Sequence, residues 1–552
     1  MSVWLWLLVP LAPLLAAALL VWCRERVIGG LWLACLPALL AVWQAPAPLD
    51  LAWVGEGIRW GGEDALTRAW LGFTAVLWGS AGVFAASSQR EDARRLRFWC
   101  FWLLALAGNL LLIVAADALS FYLGFSLMSL SAYGLIVHPG NAEARRAGRL
   151  YLQLAVLGEM LLLAGLMLRS HAAGGAFDFS TWRELPVDGP TLALLLVGLG
   201  LKAGFWPLHV WLPLAHPVAP APASAVLSGA MLKAGILGLW RALPQDDPLL
   251  AALAQPLLAA GLFGALYAAL LGLCASRSKA VLAWSSVSQM GWLLMILALA
   301  WRHPAQEMLL VTALMLFGVH HGLAKGALFL AAGMTHEARL PNAAWLLLAL
   351  PALALAGLPL STGGTAKAAL KAVWYEGAFA AWLPLLSLAG FATSILLLRA
   401  LWLMRLDQGQ APKRRPPPAQ WLPWALLCSL SLLLPWLWPA LRRPMLEHLG
   451  LADLWALLWP LLLAVVAAEI AVRRGWRVPR RLAGMRSPAL GLSLRLKRLC
   501  TRPPLPELTL HPDRAGWRRR ERRWNHLWRR DALALSAWLM ALVLCLGWVW
   551  GG

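Results

Sequence analysis

The sequence predicts an all-α, polytopic integral membrane protein that crosses the bilayer about sixteen times. Hydrophobic residues make up 61% of its 552 residues. Charged residues make up only 13%, about half of their share in a soluble domain. The apolar runs are about 20 residues long and lack the strict alternation of a β-barrel, so helices are predicted. The 35 tryptophans are typical of a chain with many positions at the headgroup level.

The apolar runs, taken in chain order, define the candidate spans. Their approximate limits are 3–22, 29–47, 66–86, 98–116, 118–137, 148–169, 190–208, 222–243, 249–273, 280–300, 307–333, 343–360, 378–403, 420–440, 451–472 and 532–550. The first run has no basic segment before it, so we expect it to remain as a span and not to be removed as a signal peptide.

Basic residues fall in every second connection between these spans. They lie within residues 24–26, 90–97, 145–149, 277–279 and 405–415, whereas the connection at 50–64 is acidic. Because basic loops stay in the cytoplasm, both termini are expected on the non-cytoplasmic side. The expected location is the cell membrane (inner or plasma membrane) of a bacterium.

A strongly basic segment, 473–531, separates the last two spans. Residues 472–530 hold eighteen lysines and arginines against three acidic residues, and six prolines interrupt them, so one continuous helix is excluded. The stretch 514–530 is rich in Trp and Arg and suits the membrane surface. Anionic lipids are the expected partner of residues 473–530. Docking of a partner subunit is the alternative, and nucleic acid is not expected, because spans hold both ends of the segment.

The seven cysteines are scattered and form neither a CxxC pair nor a Cys/His cluster. A metal site, a haem, an iron–sulfur cluster or a disulfide framework is therefore not expected. The sequence also contains no nucleotide or flavin motif. We expect this chain to carry no cofactor and no catalytic residue of its own.

Few ionisable residues interrupt the apolar runs. Each costs about 3 kcal/mol or more in the bilayer, so each is expected to face water, a partner group or a transported ion. The candidates for a proton pathway are Glu159, Lys202, Lys233, His321, Lys325 and Lys367.

Spacing predicts how some of these residues act together. His321 and Lys325 are four residues apart, so they share one helix face and can exchange a proton directly or through water. The neighbouring His320 points about 100° away and ranks lower as a candidate. Glu159 has no other charge nearby in its span, and we expect it to pair with Lys202, which lowers the cost of burying both.

Two lysines lie beside predicted helix breaks. Lys202 precedes Pro207 and Pro213, and Lys367 follows Pro359, Gly363 and Gly364. Helices interrupted at membrane depth are tolerated where they line a cavity. Two such segments in corresponding positions predict two structural repeats with a site in each.

Several motifs in order resemble those of a known family. They are DALSFYLGFSLMSLSAYGLIV at 117–137, LKAGFWPLHVWLPLAHPVAPAPASAVLSGAMLKAGI at 201–236, RSKAVLAWSSVSQMGW at 277–292, HHGLAKGALFLAAG at 320–333 and GLPLSTGGTAK at 357–367. This pattern resembles the proton-antiporter-like membrane subunits of NADH–quinone oxidoreductase (complex I), of Mrp-type antiporters, and of formate-hydrogenlyase and group 4 hydrogenases. The hydrogenase-type branch is the most similar, and the resemblance covers about residues 65–405.

The resemblance implies two inverted five-helix repeats, with interrupted helices in spans 7 and 12. It also implies a hydrated proton path through the six ionisable residues named above. Two positions depart from the family pattern. Ser126 stands where the family normally has the glutamate that partners the lysine of span 7, and Phe317 replaces a second histidine of span 11. Either Glu159 takes over the pairing or this copy lacks normal gating.

The predicted organisation follows from these segments. It comprises N-terminal helices (1–97), an antiporter-like core (98–405, with repeats at 98–243 and 249–405), additional helices (406–472), the basic segment (473–531) and a last helix (532–552).

The function that the resemblance implies is proton translocation, driven by redox chemistry in partner membrane subunits of a respiratory or hydrogenase-type complex. The chain would then be a non-catalytic subunit of an oxidoreductase complex similar to NADH–quinone oxidoreductase. The alternatives are a subunit of an Mrp-type antiporter exchanging Na⁺ or K⁺ for protons, and a coupling or structural paralogue with an altered channel.

Overall fold

The computed structural model describes residues 3–475 except 56, 63, 376–381, 413, 439–441, 443–445 and 447–449. The basic segment beyond residue 475 and the predicted span at 532–550 lie outside the described residues. Within the described part, twelve helical segments are long and apolar enough to cross a membrane, and two shorter apolar helices accompany them. The all-α membrane fold is therefore confirmed, whereas the count of about sixteen spans is not.

The N-terminal region consists of three helices and one small β-ribbon. Its helices are α1 (Leu5–Cys23), α2 (Leu36–Gln44) and α3 (Ala65–Ser88). A 3₁₀ segment, Arg24–Cys35, joins the first two helices, so residues 5–44 form one nearly continuous helical stretch with a turn at Arg24. The ribbon pairs β1 (Leu49–Asp50) with β2 (Arg59–Trp60).

The core contains two successive sets of helices in the same order. The first set is α4 (Arg95–Val114), α5 (Ala118–Ile136), α6 (Ala142–Ala172), the short α7 (Phe179–Arg183), α8 (Gly189–Ala203), α9 (Leu212–Val218), α10 (Ala221–Val226) and α11 (Lys233–Ala242). The second set is α12 (Pro248–Leu273), α13 (Ser278–Arg302), α14 (Glu307–Glu337), α15 (Asn342–Ala356), α16 (Thr362–Tyr375) and α17 (Leu383–Gln410). In each set the fourth long element is interrupted: α8 continues as α9, and α15 continues as α16.

Within the residues that the structure describes, two further helices follow the core, α18 (Pro418–Leu437) and α19 (Leu451–Arg473). Helix α18 packs against α3 and α14, and α19 packs against α17. Helix α14 is buried over most of its length and contacts α3, α13, α16 and α18. Its side chains therefore meet protein instead of lipid, which makes it a suitable position for buried ionisable groups.

The first interruption lies where the glycine and proline pattern predicts it. Helix α8 ends at Ala203, and Gly204 adopts φ 74°, a conformation that glycine enters without a Cβ clash. Pro207 lies in the break, and a 3₁₀ turn, Leu208–Trp211, leads into α9. Pro213 occupies the first turn of α9, where its missing N–H costs nothing.

The second interruption requires a correction to the sequence prediction. Helix α15 ends at Ala356, Gly357 adopts φ 99°, and Pro359 lies within the break. Gly363 and Gly364, predicted as breakers, instead lie in the first turn of α16. A Cβ on Gly363 would lie 1.8 Å from the Ala354 carbonyl oxygen, and a Cβ on Gly364 would lie 2.2 Å from the Leu358 oxygen. These glycines permit close backbone contact and do not break the helix.

Candidate functional site

All six candidate residues are buried inside the protein, with exposed fractions between 0% and 6%. They form two clusters. The first cluster, on α5, α6 and α8, consists of Ser126, Ser129, Tyr151, Glu159 and Lys202. The second cluster, on α11, α13, α14 and α16 with the residues preceding α11, consists of Ser228, Lys233, Ser285, Ser286, His320, His321, Lys325 and Lys367.

Lys202 is bound by neutral groups in the first cluster. Its Nζ donates to the Ser129 hydroxyl at 2.8 Å and to the Tyr151 hydroxyl at 3.2 Å. The Tyr151 hydroxyl in turn donates to the Ser129 carbonyl oxygen at 2.8 Å. The ammonium also lies 5.8 Å and 5.7 Å from the ring centroids of Phe125 and Tyr151, where a ring face attracts a cation.

The predicted Glu159–Lys202 pair is not a direct ion pair. Glu159 is within electrostatic range of Lys202 and lies beside the hydroxyls of Ser126 and Ser129. Its Oε1 nonetheless lacks a well-formed hydrogen bond, as does the Ser126 hydroxyl. Lys202 instead donates its hydrogen bond to the Ser129 hydroxyl, where the Glu159 carboxylate was expected. Helix α5 supplies this hydroxyl between α6 and α8.

A small cavity opens beside Lys202. Its lining includes Phe125, Gly158, Gly198 and Trp211, and its volume is about 10 Å³, which is the space that one water molecule needs. Glycines 158 and 198 let α6 and α8 approach closely, because a Cβ on Gly198 would lie 2.8 Å from the Leu162 nitrogen. The first cluster can therefore hold water next to a lysine.

Lys233 begins α11 directly after a π-helical turn, Leu227–Met231. Its Nζ donates to the carbonyl oxygen of Ser228 at 3.1 Å and also to that of Gly229. Single π turns of this kind occur frequently at functional sites. Here the turn places main-chain oxygens around a buried ammonium group.

Serine hydroxyl groups lie between Lys233 and Lys325. The Ser228 and Ser286 hydroxyls lie 2.7 Å apart, and Ser286 donates to the Leu282 oxygen at 3.0 Å. Lys325 donates to the same Leu282 oxygen at 2.7 Å and also to the Ser285 hydroxyl. These bonds bring groups bound to the two lysines together across α13, but the chain is interrupted at Ser228, whose main-chain oxygen binds Lys233 and whose hydroxyl contacts Ser286.

The two histidines of α14 lie among these lysines, and no ring nitrogen of either makes a hydrogen bond. His321 is within electrostatic range of Lys233 and Lys325, as its spacing predicts. His320, ranked lower from its direction on the helix, is within range of Lys367 as well as of Lys233 and Lys325. Its different direction is therefore what lets it bridge to α16.

Lys367 binds the end of the interrupted helix α15. Its Nζ donates to the carbonyl oxygens of Leu355 at 3.0 Å and of Ala356 at 2.9 Å. These last carbonyls have no partner within the helix and carry its partial negative charge, so they stabilise a cation. Trp292 faces the same ammonium, with its ring centroid 5.5 Å away.

The structure does not join the two clusters. Among the described side chains, neither a hydrogen bond nor an electrostatic contact links Lys202 to Lys233. Helices α8 and α11 touch through their backbones there, because a Cβ on Gly235 would lie 2.3 Å from the Leu199 oxygen and 2.9 Å from Ala203 Cβ. A proton can cross this seam only if the helices separate or a side chain moves.

The sequence prediction missed the neutral members of both clusters. Tyr151, Ser129, Ser228 and Ser286 carry no charge, so a search for buried ionisable groups passes over them. The described residues contain no group of three or more His, Cys, Asp or Glu that could hold a metal ion. Lysines, histidines, hydroxyls and one carboxyl group are suited to binding and releasing protons.

Comparison with known proteins identifies the family. The family model "NADH:quinone oxidoreductase/Mrp antiporter, TM" matches residues 115–408, more than half of the 552 residues. The chain belongs to this family. The resemblance found in the sequence motifs is thereby confirmed.

Individual members of the family are similar over part of their length. Hydrogenase-4 component B of Escherichia coli is 36% identical over 244 residues, which cover 41% of this chain and 36% of that protein. NAD(P)H-quinone oxidoreductase chain 4 2 of Microcystis aeruginosa is 32% identical over 302 residues, which cover 52% of each chain. The matches thus span only 36% and 52% of these two relatives.

A solved structure of the Mrp complex from Dietzia contains a chain of the same fold. The TM-score is 0.67 at 20% sequence identity, and the match covers 83% of this chain and 99% of that chain. This likeness confirms the antiporter-like fold of the family. These relatives are named as a component, as a chain and as part of a complex.

Proposed function

We propose that this chain is the proton-translocating, antiporter-like subunit of a membrane-bound respiratory or hydrogenase-type complex. Protons move between Glu159, Lys202, Lys233, His321, Lys325 and Lys367, and redox chemistry in partner subunits drives them. The observation that carries the proposal is that the four lysines of the two clusters are buried and hydrogen-bonded to neutral oxygens only.

Neutral partners matter because they leave the charge of a lysine free to change. A lysine in a tight ion pair is held in its charged form, and removing its proton would leave an unpaired buried carboxylate. Hydroxyl and carbonyl oxygens accept a hydrogen bond from either an ammonium or a neutral amine. Each lysine can therefore gain or lose a proton without breaking a hydrogen bond to a charged group, and within the described part of the chain only Lys202 has a carboxyl group nearby.

The proposal includes the membrane in which the protein lies and its orientation there. We place it in the cell membrane of a bacterium with both termini on the non-cytoplasmic side, following the alternation of basic loops. Anionic lipids bind the basic segment 473–530, and the transported species is a proton or another monovalent cation. The six residues act by proton transfer, and the chain itself holds no redox centre.

A second candidate function has two specific observations in its favour. Ser126 replaces the family glutamate, and the first cluster is separated from the second by the α8–α11 seam. A coupling or structural paralogue would tolerate both features. The Mrp-type exchange of Na⁺ or K⁺ for protons is distinguished by its dependence on the cation supplied.

The test is proton uptake by proteoliposomes that contain the whole complex, followed with a pH-sensitive dye. Lys202→Ala and Lys367→Ala remove one amine from each cluster, and each should slow uptake roughly twofold or more while electron transfer continues. Arg302→Ala, which removes an exposed cation at the end of α13, is the matched control. Wild-type uptake in both lysine variants would refute the proposal, and a requirement for added Na⁺ or K⁺ would favour the Mrp-type alternative.

A further inference from the structure

The second cluster needs a source of protons other than the first cluster. The α8–α11 seam separates Lys202 from Lys233, and backbone atoms fill it. On another side, however, titratable groups lead from the second cluster to the protein surface. These groups form a series that begins next to Lys325 and ends at the last residue of α14.

His216, on α9, is the first group in this series. It is fully buried, and neither of its ring nitrogens makes a hydrogen bond. Its ring stacks on Phe329 with centroids 4.7 Å apart, which fixes its orientation. It lies within electrostatic range of both Lys325 and Lys279. A buried imidazole without partners between two amines is placed to receive and pass on a proton.

Lys279, in the first turn of α13, is the second group. Its Nζ donates at 2.6 Å to the carbonyl oxygen of Ala219, the residue that follows α9. This amine therefore reaches inward toward His216 from a partly buried position. It is also within electrostatic range of Glu337.

Glu337 is the last residue of α14 and is exposed at the protein surface. Arg414 and His336 lie near its carboxyl group. Exposure thus decreases stepwise from Glu337 through Lys279 to the fully buried His216 and Lys325. The same face carries the basic connections at 277–279 and 405–415, which the sequence assigns to the cytoplasm.

We propose that Glu337, Lys279 and His216 form a separate proton-access route from this surface to Lys325, independent of the first cluster. The inference rests on the proposed proton translocation and adds a second connection to water. The Glu337 carboxylate takes a proton from solvent and passes it to the neutral amine of Lys279. That ammonium protonates the free nitrogen of His216, whose other nitrogen releases its proton to the neutral amine of Lys325. Glu337 and Lys279 return to their starting states, whereas His216 is left as its other tautomer and must exchange tautomers before the next proton passes.

The decisive variant is Lys279→Arg. Arginine keeps the positive charge and can donate to the Ala219 oxygen, but it does not release its proton at any relevant pH. A merely structural Lys279 would be replaced by arginine without loss. A proton carrier would not, so we expect the reconstituted complex to lose roughly half of its proton uptake, the share that does not enter through the first cluster.

Two further variants test the same route without relying on Lys279→Arg alone. Glu337→Gln alters only an exposed side chain and His216→Gln keeps a polar group of similar size, and both should slow uptake while complex assembly is unchanged. Glu469→Gln, at an exposed glutamate paired with Arg473 on α19, is the matched control. Wild-type uptake in Lys279→Arg and Glu337→Gln, with uptake lost in Lys325→Ala, would overturn this route alone. Wild-type uptake in Lys325→Ala as well would overturn the proposed function.

Discussion

At the scale of single residues, the position of the acid in the first cluster has moved relative to the family pattern. The family resemblance places this acid on the fifth span, where this chain has Ser126, and Glu159 on α6 supplies the one carboxyl group of the first cluster. The two side chains lie next to each other in the structure. A carboxylate at either position would therefore act on Lys202 from nearly the same place.

This proximity predicts a rescue. Glu159→Gln should slow proton uptake, because Lys202 loses its one electrostatic partner. Adding Ser126→Glu in the Glu159→Gln background returns a carboxyl group to the same space, and we expect uptake to recover at least partly. Ser126→Glu alone places two carboxyl groups together, and one of them must stay protonated. Uptake is measured on the reconstituted complex, and failure of the double variant despite normal assembly would contradict this view.

The charged residues of the site could be predicted from the sequence because burying a charge is costly and therefore informative. Hydroxyl groups carry no such signal. Ser129 and Tyr151 cannot be distinguished from other small polar residues in apolar helices until the helices are assembled. His320 shows the limit of helical geometry, since direction on one helix does not reveal that α16 packs against that side.

At the scale of secondary-structure elements, the interrupted helix α15–α16 depends on backbone contact. Gly363→Ala would drive a Cβ into the Ala354 carbonyl, and the last carbonyls of α15 bind Lys367. We expect destabilisation of about 1–3 kcal/mol or more from overpacking, together with loss of proton uptake. Thermal unfolding of the detergent-solubilised protein measures the first effect and dye quenching the second.

Gly409→Ala is the control for this substitution. Gly409 lies in the last turn of α17, and nothing approaches within 4 Å of its Cβ position. Alanine favours a helix over glycine by roughly 1 kcal/mol, so this variant should be neutral or slightly stabilising. If Gly363→Ala and Gly409→Ala were equally stable to heat, the close contact at Gly363 would contribute nothing to the stability of the protein.

Glycine and proline predicted that two helices break and where the first break lies, but not the exact position of the second. Gly357 was not singled out, whereas Gly363 and Gly364 were, because composition alone does not separate a glycine with positive φ from one that permits close packing. The π turn at Leu227–Met231 has no local signature either, since its residues are compatible with an ordinary helix. These features depend on contacts between distant segments.

At the scale of the whole molecule, hydropathy predicted the class of fold and most spans because the bilayer imposes length and apolarity on every crossing segment. It could not predict that the buried polar residues form two clusters. That division arises from the seam between α8 and α11, where small residues bring two backbones together. The clusters do not coincide with the two sets of helices, because Lys233 lies on α11 of the first set, but each cluster can carry part of a transport cycle.

If the two clusters have separate access routes, the effects on proton uptake of a variant in each route should combine in a predictable way. Lys202→Ala impairs the first cluster but leaves the route from Glu337 to Lys325 open, so some proton uptake should persist. Glu337→Gln impairs only the second route, and uptake should persist through the first. In the double variant both routes are impaired, and we expect the remaining uptake to fall well below that of either single variant, approaching the level of liposomes without protein. If both residues instead serve one path in series, Glu337→Gln would add nothing to Lys202→Ala, because effects within one unit are not additive.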